Sequence, residues 1–204
     1  MYTALVIRPG ETDFDREDRI QEALDLPLTA EGRQQVFQLI EQLRGQAPDA
    51  IYASPSQPSR ATAELIADAL DVPVKELEGL SNMDQGLWQG MLLSDLKRKH
   101  PRVYKQWQES PESVCAPAGE TCDDAIERIE KALKKPIRKG GTFAVVVSEP
   151  LASLVSCVLH GDGPRIPGPA AGDDRAGTVE VIDASRTADT TVASIFDSTD
   201  LIGF

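Results

Sequence analysis

The chain has few of the residues that form metal centres, disulfide frameworks and membrane spans. Its 204 residues include two histidines and three cysteines. The cysteines lack CxxC spacing, so neither a structural zinc site nor a disulfide framework is expected. No apolar run approaches the roughly 20 residues of a membrane-spanning helix, and the first residues do not form the pattern of a secretory signal. We therefore expect no metal, no cofactor, reduced thiols and a cytoplasmic location.

Positive charge is also scarce. Lys and Arg number 21 against 33 Asp and Glu, which gives a net charge of −12. Such a surface repels nucleic-acid backbones and anionic lipids, so neither nucleic acid nor a membrane is an expected partner. An anionic ligand would need a locally basic pocket. The expected partners are a small phosphorylated or anionic ligand, a protein, or a second copy of the chain in a homodimer.

Short apolar runs alternate with helical patterns along the chain. Strands are predicted at 2–7, 50–53, 72–77, 142–148, 178–183 and 190–196, and helices begin near Thr29, Pro58, Thr121 and Leu151. The strongest strands lack in–out alternation, which is typical of a sheet buried on both faces. We predict an α/β fold: a three-layer αβα sandwich with a mostly parallel sheet, ending in a hairpin. Residues 1–204 are expected to form one domain, with a less regular insertion at about 80–120 and a long loop at 161–177.

Polar residues follow the predicted strands at one edge of this sheet. Arg8 comes directly after the first strand, Arg60 lies where the second helix begins, and Glu149 follows the strand at 142–148. Ligands of open α/β sheets bind at the carboxyl ends of the strands. Two arginines beside a helix N-terminus would form an anion site of phosphate size.

Several motifs resemble those of the histidine phosphatase superfamily, the phosphoglycerate-mutase-like proteins. Residues 5–12, LVIRPGET, resemble the signature L-V-R-H-G-E-T. Residues 51–63 resemble the Y-S-S-P-L-x-R-A-x-Q-T-A block, residues 83–90 the block around F-G-x-W-E-G, and residues 117–121 the P-G-G-E-S turn. The resemblance implies a phosphoglycerate-mutase-like fold and phosphoryl chemistry. That chemistry uses a nucleophilic histidine, a carboxylic acid, and two arginines with a second histidine around the phosphoryl group.

The positions that carry this chemistry are altered. Pro9 stands where the resemblance puts the nucleophilic histidine, Asn82 where it puts the acid, and Glu149 where it puts the second histidine. Arg8 and Arg60 are kept, and Asp15 replaces an asparagine that often follows the first motif. Proline has no lone pair that could attack phosphorus, and an asparagine has no carboxyl proton to donate. We therefore expect no catalytic residue. The expected remnant of the phosphate pocket is Arg8, Arg60, Glu149 and Asp15, with the Glu149 carboxylate paired to an arginine.

The predicted function is that of a pseudophosphatase, acting as a binding or regulatory module. One alternative is a weak or divergent phosphomonoester phosphatase or mutase with a non-histidine nucleophile, for which Asp15, Asp84 and Glu149 are candidates. Another is a purely structural role. His100 and His160 are expected at the surface or at helix ends, where neither would replace the missing nucleophile.

Overall fold

The structure, a computed structural model, describes residues 1–20, 26–169 and 176–184. Five strands form one sheet within these residues: β1 (Tyr2–Ile7), β2 (Ala50–Ala53), β3 (Val74–Glu76), β4 (Gly141–Val146) and β5 (Val179–Asp183). Their order across the sheet is β3-β2-β4-β1-β5. Strands β1 to β4 run parallel, whereas β5 pairs antiparallel with β1 at one edge. The mostly parallel sheet predicted from the apolar runs is confirmed.

Helices cover both faces of the sheet. One face packs against α2 (Ala30–Leu43) and α3 (Gln57–Leu70), and the other against α6 (Cys122–Lys139) and α7 (Leu151–His160). Alternate residues of β1 enter opposite cores: Ala4 and Val6 pack with α6 and α7, whereas Leu5 and Ile7 pack with α2 and α3. Burial on both faces explains why the strand lacks a polar side. The fold is the predicted αβα sandwich.

The helix starts follow the threonines identified in the sequence. Thr29 Oγ1 accepts a hydrogen bond from the Gly32 amide at 2.9 Å. Thr121 Oγ1 accepts one from the Asp124 amide at 3.2 Å. Each bond satisfies an amide that has no partner inside its helix.

The segment at about 80–120 holds a second helix beyond the polar helical stretch that the sequence predicts near 92–99. It contains α4 (Leu93–Lys99) and α5 (Pro101–Glu109), besides one-turn 3₁₀ helices at Glu78–Leu80, Gly86–Trp88 and Pro111–Ser113. The less regular structure expected across this segment is not observed over α5. A proline at the first helical position costs no hydrogen bond. Val103, Tyr104 and Trp107 of α5 pack on a small separate core around Trp88 and Leu96.

The C-terminal predictions are partly testable. Strand β5 agrees with the strand predicted at 178–183, whereas the strand predicted at 190–196 lies outside the described residues. Residues 162–169 of the predicted loop have no regular secondary structure, and 170–175 are not described. Among the described helices, none combines the length and apolar character that a bilayer crossing requires.

Candidate functional site

The register of the sheet brings three strand ends to one level. Val146 of β4 lies opposite both Ile7 of β1 and Ala53 of β2. Arg8 is therefore the first residue beyond its strand, and Glu149 stands three residues beyond Val146. Because the carboxyl ends of neighbouring parallel strands meet at the same edge, residues 141 positions apart in the chain become neighbours.

The loop after β1 is held by close backbone contact with α2. A Cβ added to Gly10 would lie 2.2 Å from the carbonyl oxygen of Gly32. The Gly10 amide also donates to Thr62 Oγ1 at 3.2 Å, which ties the loop to α3. Only glycines permit this approach of loop to helix. The packing fixes the position of Pro9, which lines the cleft between these elements.

Arg8 and Glu149 form a buried ion pair. Arg8 Nε donates to Glu149 Oε1 at 2.7 Å, and each side chain is 10% exposed. The second carboxylate oxygen, Glu149 Oε2, accepts from the Ser153 amide at 3.2 Å and from Ser153 Oγ at 2.8 Å. Charge-assisted bonds of this kind are stronger than neutral ones, and they strengthen away from water.

Asn82 supports the backbone of the turn that carries Glu149. Its Nδ2 donates to the Glu149 carbonyl oxygen at 3.0 Å, and its Oδ1 accepts from the Met83 amide at 2.9 Å. Both ends of the Asn82 amide are thus used in holding backbone. The side chain ties the loop before Met83 to the turn that carries Glu149.

Asp15 lies in the short helix α1 (Asp13–Arg16) and also lines the cleft. Its Oδ2 accepts from the Thr12 amide at 2.6 Å and from Thr12 Oγ1 at 2.7 Å. This carboxylate oxygen orders the start of α1.

Arg60 stands in the first turn of α3, where it is half-buried. Pro58, two residues earlier, is part of the described lining of the cleft, and Arg60 is not. The structure therefore brings Arg8, Asp15 and Glu149 into one lining, whereas Asn82 bonds to the Glu149 backbone and itself lines a separate depression. The role predicted for Arg60 as a second phosphate ligand stays a prediction.

The space left in this cleft is small. The cavity measures about 20 Å³, which is close to the room that a single water molecule needs. Its described lining is Arg8, Pro9, Gly10, Thr12, Asp15, Pro58, Ser148, Glu149 and Ala176. Chemically, this lining offers one guanidinium, two carboxylates and no imidazole.

Two residues that bear on the site were not identified from the sequence. Ser153 lies four residues after Glu149, a spacing that places both on the same face when a helix begins between them. That signal was available in the sequence. Glu180 lies on β5, and its Oε2 is 3.6 Å from Arg8 Nη2. No sequence pattern links Glu180 to Arg8, because β5 reaches β1 only through the antiparallel edge pairing.

Neither histidine is in the described lining of the cleft. His100 separates α4 from α5. His160 is the last residue of α7, and its Nε2 lies 3.7 Å from Glu180 Oε1. In the part of the chain that the structure describes, no three His, Cys, Asp or Glu side chains are grouped so that they could hold a metal ion.

Two curated proteins with similar sequences carry the names of a phosphatase and of a probable mutase. A relative named phosphoserine phosphatase 1, from Hydrogenobacter thermophilus, is 29% identical over 165 residues, covering 79% of this chain and 78% of its own. GpmB of Salmonella arizonae, named as a probable phosphoglycerate mutase, is 30% identical over 162 residues, covering 78% of this chain and 75% of its own.

Solved structures share the fold. A mycobacterial glucosyl-3-phosphoglycerate phosphatase, in complex with VO₃, superposes with a TM-score of 0.78 at 21% identity, covering 90% of this chain and 91% of its own. Bacillus stearothermophilus YhfR superposes with a TM-score of 0.75 at 23% identity and the same coverage. The family profile of the histidine phosphatase superfamily (branch 1) matches residues 4–165. This chain, with its αβα sandwich and its arginine at the end of β1, therefore belongs to the histidine phosphatase superfamily.

Proposed function

We propose that this chain is a non-catalytic member of its family and acts as a binding or regulatory module, in which the Glu149 carboxylate occupies the position of a phosphoryl group. The observation that carries the proposal is the Arg8–Glu149 pair, 2.7 Å long and almost fully buried. An arginine that would otherwise hold phosphoryl oxygens is already bound to a carboxylate of the same chain. The family as a whole is one of phosphatases and mutases, so the proposal concerns what this member has lost.

The chemistry at two positions supports the loss of catalysis. The resemblance assigns the nucleophile to the position of Pro9, whose backbone nitrogen has no free lone pair. It assigns the proton donor to the position of Asn82, whose amide is bonded to the backbone at both ends. Without a nucleophile no covalent phosphoenzyme forms, and without an acid the leaving oxygen is not protonated.

The electrostatics of the cleft further support the loss of catalysis. Arg8 contributes one positive charge, whereas Glu149 and Asp15 contribute two negative charges to the same lining. A phosphate dianion entering this space would meet two carboxylates at short range. Desolvation makes such repulsion stronger than it would be in bulk water.

One observation favours the alternative of a divergent phosphomonoester phosphatase. The Asp15 carboxylate lines the same cleft as Arg8, and an aspartate can attack phosphorus. Against this, Asp15 Oδ2 already accepts two short bonds from Thr12. Asp84 lines a separate depression with Glu120 and Arg128, which makes it a weaker candidate. The names of the relatives fix the substrates to test: phosphoserine, 3-phosphoglycerate and glucosyl-3-phosphoglycerate.

The test is a turnover assay with these three esters and an aryl phosphate, using repurified wild type and Asp15→Asn. We expect no phosphate release above the buffer blank from either protein, and no stable phosphoprotein with a labelled donor. Pro9→His should stay inactive, because residues that act as a unit fail together. Wild-type turnover that Asp15→Asn abolishes would replace our proposal by the alternative. Wild-type turnover that persists in Asp15→Asn would also overturn it.

The partner and the compartment are part of the same proposal. A filled cleft leaves the outer surface as the place where a protein partner, or a second copy of the chain, would bind. We propose the cytoplasm as the compartment, since its reducing conditions keep thiols free. This is supported by Cys115, Cys122 and Cys157, which are all free.

A further inference from the structure

Glu180 is a second carboxylate close to the Arg8 guanidinium. It lies on β5, where the antiparallel register pairs it with Val6, two residues before Arg8. Its Oε2 is 3.6 Å from Arg8 Nη2, whereas Glu149 Oε1 contacts Arg8 Nε. The two carboxylates therefore approach different nitrogens of one guanidinium.

The Glu180 carboxylate is held in this place by α7. Ser156 Oγ donates to Glu180 Oε2 at 2.8 Å, and Ser156 is itself buried. His160 Nε2 lies 3.7 Å from the other oxygen, Glu180 Oε1. The bond to buried Ser156 restricts the rotamers that the Glu180 side chain can adopt. It thereby holds the Glu180 carboxylate close to Arg8.

Glu149 and Glu180 are thus supported in the same way. Ser153 donates to Glu149, and Ser156 donates to Glu180. Residues 149, 153, 156 and 160 recur at helical spacing along one stripe that starts at the turn before α7. This stripe presents two serines and a histidine to the two carboxylates that surround Arg8.

We propose that Glu180 is a second specificity-determining residue of the cleft, which neutralises Arg8 independently of Glu149 and so excludes anions. This inference rests on the proposed function, in which Glu149 occupies the phosphoryl position. Arg8, Asp15, Glu149 and Glu180 together carry a charge of −2. Removing Glu149 or Glu180 alone leaves −1, and only removal of both brings the sum to zero and leaves the guanidinium without either glutamate contact. Anion binding therefore requires two changes rather than one.

The experiment measures the binding of inorganic phosphate by calorimetry, at about pH 8 and low ionic strength. The variants are Glu149→Gln, Glu180→Gln, the double Gln variant, and Glu149→Gln combined with Glu180→Asp. Glutamine keeps the size of the side chain and an oxygen for the serine hydroxyl. Glu76→Gln serves as the control for net charge, because Glu76 is exposed on β3 at the opposite edge of the sheet.

We expect no detectable phosphate binding by wild type, by either single variant or by the control. The double Gln variant should bind at least about tenfold more tightly than any single variant, since a net charge at short range changes affinity by this order. Glu180→Asp in the Glu149→Gln background should behave like Glu149→Gln alone, because it keeps the charge. A merely structural role of Glu180 would not separate Asp from Gln in this way.

Two results would overturn the inference. In one, Glu149→Gln alone binds phosphate as tightly as the double Gln variant. In the other, Glu149→Gln combined with Glu180→Asp binds phosphate as tightly as the double Gln variant. If the double Gln variant fails to fold, the rate at which phenylglyoxal modifies Arg8 decides the question: Glu180→Gln should raise it several-fold over Glu76→Gln, and an unchanged rate contradicts the inference. Phosphate turnover by wild type would instead contradict the proposed function, so the two failures are distinguishable.

Discussion

The stability of the fold should depend on the charge of Glu149. Glu149→Gln keeps the volume and the serine contacts but leaves the Arg8 guanidinium without its partner at 2.7 Å. Removal of one member of a buried ion pair costs about 3–5 kcal/mol, because the other charge stays desolvated. Glu180, at 3.6 Å, remains to compensate in part. We therefore expect the free energy of unfolding to fall by about 2–4 kcal/mol.

The matched control is an ion pair of similar length that is exposed. Lys131 Nζ lies 2.5 Å from Glu127 Oε1, with side chains 73% and 66% exposed. Solvent screens such a pair, so Glu127→Gln should lower the free energy of unfolding by less than about 1 kcal/mol.

The assay is urea unfolding, followed both by far-UV circular dichroism and by the fluorescence of Trp88 and Trp107. The two probes test whether the sheet and the small helical core around the tryptophans unfold together. Glu149→Gln is expected to shift the urea midpoint clearly further than Glu127→Gln. Equal shifts would refute the reasoning, because the Arg8–Glu149 pair would then be no more desolvated than a surface pair.

Three further outcomes follow from other parts of the structure. At about pH 8 an aromatic disulfide should modify exposed Cys115 and spare buried Cys122. The pKa of the Cys122 thiol is raised to about 11, mainly by burial and to a lesser extent by neighbouring carboxylates. Equal reaction rates of the two thiols would contradict this prediction. Because the pKa of Cys122 is raised in the folded state, its thiol stabilises the fold below its ordinary pKa of 9.0, and this contribution to the free energy of unfolding should disappear as the pH rises towards 11. Urea unfolding curves measured across this pH range should show the decrease in wild type and lack it in Cys122→Ala. Gly10→Ala should lower the free energy of unfolding by about 1–3 kcal/mol in thermal denaturation, because the new Cβ meets the Gly32 carbonyl. The control Gly45→Ala, which has open space around the new Cβ, should lower it by less. Similar values for the two variants would argue against the close packing of the loop on α2.

The sequence determined the layered fold because its signals are local. A buried strand such as 142–148 needs only a short run of apolar residues, and a helix start such as Thr29 needs only a capping side chain and the residues that follow. Helix α5 was missed because its apolar residues are few among charged ones. They pack on Trp88, which a local pattern does not reveal.

The sequence also determined which chemistry the site lacks. Proline at position 9 and asparagine at position 82 have fixed chemical properties in any conformation, so the absence of a nucleophile and of an acid at these positions can be read directly. That Glu149 would lie beside an arginine followed from the meeting of parallel strand ends at one edge.

Only the tertiary structure decided the geometry around Glu149. Arg8 Nε donates to its carboxylate at 2.7 Å, whereas Arg60, the other arginine that the sequence offered, lies half-buried in the first turn of α3. Glu180 enters the site because the antiparallel edge strand β5 pairs with β1, a contact between residues 172 positions apart. Local patterns fix what each segment can form and which chemical groups it carries. Contacts across such separations depend on the order and register of the strands, which the whole core sets at once.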